Sequence, residues 1–248
     1  MIRHLLQRHP LAIEAHFDFS LVLAFALPAP VLEPLLAPGL ALDRVGDRGL
    51  LAIALVQTRG LRPAGLPRAL GRDFFLTGYR VFVRLADRPS LRGLRILRSD
   101  ADSPLMVVGG NLFTRYGYRL CGVHHERHAD LLTVDVRTRG AQADLVLRVR
   151  LDDPAGPPEG SPFADLAEAR RYAGPLPHTF DYEGETRSLI DVRATRRSWE
   201  PRAVTVESVR SGFLDREPFR SARPALANAF IVEDVDYRWE RGVRIPVA

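Results

Sequence analysis

Apolar and polar residues alternate along much of the chain, which is the pattern of β-strands with one buried face. One alternating run covers residues 132–136 and a second covers residues 143–151, with a short turn at Arg139-Gly140 between them. The two runs therefore predict a pair of half-buried strands. The same pattern predicts seven further strands, at residues 15–27, 50–59, 73–85, 92–99, 187–195, 203–209 and 229–239.

Helical signals are few. The three predicted helices are residues 30–36, 104–114 and 163–173. The first has a proline near its start and Gly39 after its end. Ser103 is a typical N-cap for the second, which the Gly109-Gly110 pair weakens. Ser161-Pro162 opens the third, and Gly174-Pro175 is expected to end it.

These elements predict an α+β fold that is predominantly antiparallel β, as a closed barrel or two packed sheets with a few short helices. The Pro/Gly-rich loop at residues 153–160 has predicted strands on both sides. We therefore interpret this loop as an insertion within one domain that spans residues 1–248, and not as a domain boundary.

The chain contains no lysine, because all 35 of its lysine-plus-arginine residues are arginines. Lysine is the side chain that forms Schiff bases with carbonyl substrates, and arginine stays protonated and cannot replace it. The P-loop of nucleotide-binding proteins also requires lysine. The composition therefore excludes imine chemistry at a side chain, and the only free amine is the N-terminus of Met1.

Positive charge is concentrated in residues 59–98, where ten arginines stand against two aspartates. Aromatic residues are interleaved with these arginines, as in some nucleic-acid-binding surfaces. The stretch is also typical of strands with a solvated arginine face, which is the interpretation we place first. Bidentate binding of a small carboxylate or phosphate comes second, and nucleic-acid binding a distant third.

The single cysteine, Cys121, excludes an intramolecular disulfide and a thiolate metal cluster. The first ten residues lack the apolar core of a signal peptide. The longest charge-free apolar run, residues 19–32, is shorter than the roughly 20 residues that span a bilayer. We expect a cytoplasmic protein without a membrane segment, and a homo-oligomer remains open.

The histidines His124, His125 and His128 form the obvious candidate metal site. Their spacing is not that of the zinc proteases, and they precede a predicted strand, where a turn is expected. We favour a solvated turn over a metal site. The chain also lacks the nucleophile elbow Gly-x-Ser-x-Gly and a dinucleotide-binding fingerprint. We predict neither a metal nor a cofactor, and we interpret Cys121 as a buried apolar residue.

The segment 111–119 concentrates an amide, phenols and guanidinium groups that suit a carboxylate- or carbonyl-bearing ligand. The alternative is a set of tyrosines that pack as half-buried core, and we weigh the two equally. With one tyrosine from the basic stretch added, the predicted ligand-pocket residues are Tyr79, Asn111, Arg115, Tyr116, Tyr118 and Arg119.

Several segments resemble the YqjF-like bacterial family of uncharacterised proteins. The motifs that carry the resemblance are residues 92–100, 109–112, 116–118, 199–201, 226–230 and 237–242, and the likeness extends from about residue 11 to residue 244. This family is similar to a branch of the acetoacetate-decarboxylase-like superfamily. The resemblance implies a curved antiparallel barrel or double sheet with an apolar internal cavity.

The sequence departs from the decarboxylase where its chemistry would lie. The resemblance matches the decarboxylase's lysine-bearing segment to residues 110–118, which contain no lysine. The pocket glutamates of the decarboxylase would correspond to positions between Glu33 and Glu126, where this chain has no glutamate. Both departures argue against decarboxylation and against any enzyme that works through an imine.

Three functions remain open from the sequence. The first is a small-molecule-binding protein that holds a small, anionic organic ligand in the barrel cavity. The second is a lysine-independent lyase, hydratase or isomerase, in which arginine fixes an organic acid and tyrosine or aspartate moves protons. The third is nucleic-acid binding through residues 59–98.

Overall fold

The computed structural model describes residues 3–172 and 176–247. Fifteen strands make up most of this part of the chain: β1 Ile13–Pro28, β2 Leu40–Leu42, β3 Arg44–Val45, β4 Arg48–Pro63, β5 Arg72–Leu85, β6 Arg92–Ala101, β7 Tyr118–His128, β8 Leu131–Thr138, β9 Leu145–Arg150, β10 His178–Glu183, β11 Ser188–Arg196, β12 Arg202–Ala203, β13 Thr205–Ser211, β14 Ala225–Trp239 and β15 Val243–Pro246. The α-helices are short: α1 Arg3–Leu6, α2 Ala29–Leu32, α3 Pro104–Phe113, α4 Leu166–Arg170 and α5 Phe219–Ala222. Single 3₁₀ turns cover Glu33–Leu35, Arg68–Leu70 and Arg139–Ala141.

The strands form one curved sheet in which most neighbours are antiparallel. Long strands at its centre pair in the order β11, β14, β1, β4, β5 and β6. β6 also pairs with β10, and β10 pairs with β11. Through β10, the last strand of this order is therefore connected back to the first. β7, β8, β9 and β13 extend from β6 as an antiparallel arm.

Strand β1 shows why the sheet has two apolar faces. Leu21, Leu23 and Phe25 project to one side, where they pack with residues of β8 and β9 in the largest core cluster. The alternate residues Val22 and Ala24 project to the other side and join a second cluster with β4, β5 and β14. A strand segment buried on both faces is apolar at nearly every position, as β1 is from Leu21 to Leu27.

The structure confirms the predicted class, since it is predominantly antiparallel β with a few short helices. The long predicted strands are all present, and α3 runs unbroken through Gly109-Gly110 with its N-cap at Ser103. β9 and β13 lie before and after the loop at residues 153–160 and pair with each other. The strands on either side of the loop are therefore neighbours in the sheet, and the single domain stays a prediction.

Two local predictions are wrong. The helix expected at residues 163–173 is only the single turn α4, because Asp165, not Ser161, is its N-cap, with the Glu168 N–H donating to the carboxylate at 2.7 Å. Ser161 donates instead to the Ala227 carbonyl at 2.7 Å. Ala173 and Gly174-Pro175 lie outside the described residues.

The turn expected at the three histidines is the second error. His124, His125 and His128 belong to β7, which pairs with β8 along its length, and the turn lies after them at residues 129–130. Sequence patterning missed β7 because the face that carries Cys121 and Val123 also carries the polar residues His125 and Arg127, so the apolar alternation is short. Within residues 3–172 and 176–247, no helix has both the length and the apolar character needed to cross a membrane.

Candidate functional site

A cavity of about 340 Å³ lies between one face of the sheet and the chain segments that cover it. β1, β4, β5, β6 and β14 provide the sheet side, while α3 and the residues just before β1 provide the cover. Most of the wall is apolar. Its large side chains include Phe17, Phe74, Leu76, Met106, Phe113 and Trp239.

Arg80 brings a guanidinium group into this apolar cavity. Arg80 lies on the face of β5 that also carries Leu76, Gly78 and Phe82, and it follows Gly78 by two residues. A Cβ atom at Gly78 would lie 3.1 Å from both Nε and Nη2 of Arg80. The glycine therefore leaves the space in which the guanidinium lies over the strand.

The Arg80 guanidinium is unpaired in the part of the chain that the structure describes. Its Nε is buried without a hydrogen-bond partner. Burial lowers the pKa of Arg80, and the phenols of Tyr237, Tyr118 and Tyr116 partly oppose this shift. Because a guanidinium remains charged in proteins, the cavity contains a positive charge that no carboxylate neutralises.

The three tyrosines near Arg80 are hydrogen-bond donors and not anions. Burial raises the pKa of Tyr118 to about 12 and raises the pKa values of Tyr116 and Tyr237 as well. The Tyr116 hydroxyl is buried and has no partner among the described residues. The cavity therefore combines the unpaired cation of Arg80 with at least one free O–H donor. Arg62 and Arg72 also line it, and Arg62 is paired with Glu14 at 3.1 Å.

The end of α3 positions the two tyrosines of the predicted cluster. The Asn111 amide donates to the Tyr118 carbonyl at 2.9 Å, and the Tyr118 N–H donates back to the Asn111 side chain at 2.8 Å. A Cβ at Gly110 would lie 2.4 Å from the Tyr118 ring, so only glycine permits this contact. Gly117 has a φ of 63° and turns the chain between the tyrosines.

His9 places an imidazole in the cavity from the segment that precedes β1. The residue is 6% exposed, and its Nδ1 has no partner in the described part of the chain. Burial lowers the pKa of His9 to about 4, which a backbone hydrogen bond with Leu11 partly opposes. Its ring centroid lies 6.2 Å from that of Tyr116.

A buried ion pair fixes this covering segment next to His9. Arg8 donates to both oxygens of Glu183, at 2.9 and 2.7 Å, and the Glu183 side chain is fully buried. Arg115 approaches the same carboxylate at 3.5 Å, and Thr186 also donates to it. Hydrogen bonding by Arg8 is the main reason that the pKa of Glu183 falls to about 2.

Of the six predicted pocket residues, Tyr116 and Tyr118 line the cavity. Asn111 braces Tyr118, as described above. Tyr79 lies on the opposite face of β5, where its hydroxyl donates to the Ala143 carbonyl at 3.1 Å. Arg115 is held by the two glutamates Glu183 and Glu185.

Arg119 lies outside the cavity, exposed, and donates to Gln142 at 2.8 Å. The pocket residues predicted from the sequence do not include Arg80, His9 or Gly78. A signal for Arg80 was present, because it is the one charged residue in the row of alternate residues from Phe74 to Phe82 on β5.

The other candidate sites carry less support. His124 and His128 both contact Glu126 on the exposed face of β7, and no group of three metal-binding side chains occurs in the described ranges. Cys121 is buried, and burial raises the pKa of its thiol to about 12, which leaves it protonated at neutral pH.

Much of the basic stretch is neutralised by acidic partners. Arg84 and Arg92 both bind the fully buried Asp43. Arg98 binds both oxygens of Asp100, at 2.7 and 2.8 Å. These side chains are therefore not free to form a continuous positive surface for nucleic acid.

Solved structures of the same fold are known. The acetoacetate decarboxylase of Legionella pneumophila subsp. pneumophila str. Philadelphia 1 matches with a TM-score of 0.59 at 12% sequence identity, over 94% of this chain and 87% of that one. An acetoacetate decarboxylase-like enzyme from Sphingomonas wittichii RW1 matches with a TM-score of 0.59 at 13% identity, over 96% and 93% of the two chains.

The enduracididine biosynthesis enzyme MppR, complexed with pyruvate, also has a TM-score of 0.59, at 12% identity over 94% of this chain and 91% of that one. At such identities the likeness shows the fold alone, and it confirms the fold that the sequence resemblance implied. No curated protein matches the chain. The model of a family described as an uncharacterized conserved protein, DUF2071, matches residues 15–235, and the chain belongs to this family.

Proposed function

We propose that the cavity binds a small organic anion, with a carboxylate held by Arg80 and an apolar body against the surrounding wall. The observation that carries the proposal is the unpaired guanidinium of Arg80 inside an apolar cavity. A buried charge without a partner costs free energy, so it is uncommon unless a ligand supplies the opposite charge.

The geometry of arginine favours a carboxylate as that ligand. A guanidinium donates two parallel hydrogen bonds to a carboxylate, and such charge-assisted pairs are stronger than neutral ones. Free O–H donors near Arg80, such as that of Tyr116, add hydrogen bonds to the same anion. The apolar wall supplies affinity for the rest of the molecule.

Binding in this proposal does not involve a Schiff base, because the chain has no lysine. The MppR structure of the same fold is complexed with pyruvate, which makes small carboxylates reasonable first ligands to test. The lone, buried Cys121 fits a reducing compartment, and we propose a cytoplasmic location on that basis.

Isothermal titration calorimetry with phenylacetate and its neutral counterpart phenylacetamide tests the proposal. We expect phenylacetate to bind more tightly than phenylacetamide. Arg80→Met should weaken phenylacetate binding by about 10–150-fold, because it removes hydrogen bonds to a charged group. Arg119→Met is the matched control, since it removes an exposed guanidinium outside the cavity. Equal affinities for the acid and the amide, or unchanged binding by Arg80→Met, would refute the proposal.

A further inference from the structure

His9 is a chemically reactive group in the cavity that anion binding does not require. Its imidazole lines the same cavity as Arg80, and its Nδ1 has no partner among the described residues. The ring centroid of Tyr116 is 6.2 Å from that of His9, and its phenol interacts electrostatically with Arg80. A cation, a phenol and an imidazole therefore line the same cavity.

The backbone holds His9 in an uncommon conformation. Its φ is 55°, in the left-handed region, which costs free energy for a residue other than glycine. Hydrogen bonds on both sides enforce it, since the His9 N–H donates to the Phe113 carbonyl at 3.0 Å and the Gly242 N–H donates to the His9 carbonyl at 2.9 Å. The neighbouring residue Arg8 is clamped to the buried Glu183.

Strained backbone that is fixed from several directions is a feature of functional sites. Here the strain positions an imidazole that is neutral at pH 7, since burial lowers its pKa to about 4. A neutral imidazole with a free ring nitrogen can accept a proton. Beside it, the free hydroxyl of Tyr116 can donate a hydrogen bond to an oxygen that gains negative charge.

We propose that the cavity catalyses proton transfer at the carbon next to the carbonyl group of a bound 2-oxo acid. This inference rests on the proposed function, because Arg80 must hold the carboxylate. His9 is the base, and Tyr116 donates to the carbonyl oxygen.

In the step, the C–H bond breaks and its proton moves to Nδ1 of His9, in the tautomer that carries hydrogen on Nε2. The electron pair of that bond forms the C=C bond of the enolate, and the negative charge passes to the carbonyl oxygen, where the Tyr116 O–H stabilises it. The imidazolium exchanges its proton with solvent and returns one to the carbon. No oxidant, reductant or second substrate is needed.

Deuterium exchange in D₂O, followed by proton NMR, tests the inference with 4-methyl-2-oxopentanoate as the probe. We expect the protein to exchange the protons on carbon 3 at least about 100-fold faster than buffer, the usual contribution of a positioned base. His9→Asn should lose about 100-fold of this rate. Asparagine tolerates the left-handed backbone but is not a base.

A second ligand separates catalysis from binding. 4-Methylpentanoate has the same carboxylate and tail but no carbonyl group, and its affinity for His9→Asn should stay within about threefold of wild type. Tyr116→Phe should also slow exchange by about 100-fold, as loss of a donor to a developing oxyanion does. Arg119→Met should exchange at the wild-type rate.

Each outcome has a separate meaning. Binding of both acids without exchange above buffer overturns the inference and leaves the proposed function in place. No binding of either acid overturns both. Exchange that persists in His9→Asn overturns the role of His9. Exchange lost in that variant, with 4-methylpentanoate binding and the thermal midpoint retained, supports it.

Discussion

Arg80→Met should make the ligand-free protein more stable, which is the opposite of most substitutions at buried positions. Methionine is apolar and flexible enough to fill the space of the arginine side chain, and it carries no charge. The wild-type guanidinium lies in an apolar cavity without an acidic partner in the described residues, so its charge is desolvated without compensation.

The magnitude follows from the cost of leaving a buried polar group without partners, which is about 1–3 kcal/mol. Removing that cost should raise the free energy of unfolding by about 2 kcal/mol. For a chain of this size, each kcal/mol shifts the thermal midpoint by about 2–4 °C, so we expect a rise of about 4–8 °C.

Differential scanning calorimetry of the ligand-free protein measures this shift. Arg119→Met is the control, because its exposed guanidinium should contribute less than about 0.5 kcal/mol. A phenylacetate concentration that saturates wild type should raise its midpoint more than that of Arg80→Met, since stabilisation by a ligand grows with its affinity for the folded state. A midpoint that falls in Arg80→Met would refute the reasoning, because it would show that the guanidinium already has compensating partners.

Three further predictions concern Gly78, His9 and Glu183. Gly78→Ala places a methyl group 3.1 Å from Nε of Arg80, so calorimetric titration should show phenylacetate binding weakened by about tenfold while the fold is retained. His9 has a folded pKa of about 4 against an ordinary 6.5, so the unfolded state binds more protons between these values. Stability should therefore fall by about 3 kcal/mol as pH falls from 6.5 to 4, and His9→Asn should flatten this part of a urea-unfolding series. Glu183→Gln should lower the free energy of unfolding at pH 7 by about 2 kcal/mol, because it removes the charged partner of Arg8.

The two titrating groups are distinguishable by their pH windows. The folded-state pKa of Glu183 is depressed to about 2, so its contribution is present above pH 4.5 and is lost as pH falls towards 2. The His9 contribution is lost in a higher pH range, as pH falls from 6.5 to 4. An unchanged pH profile in His9→Asn would contradict a buried, neutral imidazole, and a stable Glu183→Gln would contradict a structural role for the ion pair.

The architecture was predictable because the sheet imposes a period of two on long stretches of sequence. Strand β5 shows both the strength and the limit of this signal. Its alternation correctly predicts a buried strand, but the chemistry depends on which face each residue joins. Tyr79 and Arg80 are neighbours in the sequence, yet Tyr79 packs in the main core and Arg80 enters the cavity.

The cavity itself was not predictable from local patterns. It requires α3 and the segment around His9 to cover the sheet, and these contacts join residues far apart in the chain. The cluster at residues 111–119 marked the correct region, and Tyr116 and Tyr118 line the cavity. Arg115 and Arg119 do not line the cavity. The side chain of Arg115 is held by Glu185, and that of Arg119 by the Gln142 amide.

A crystal structure with 4-bromophenylacetate tests the central claim most directly, because the bromine can be located by its anomalous scattering. The account predicts the carboxylate oxygens about 2.7–2.9 Å from the guanidinium nitrogens of Arg80 and the bromine against the apolar wall of the cavity. A carboxylate bound elsewhere, with Arg80 still unpaired, would contradict it.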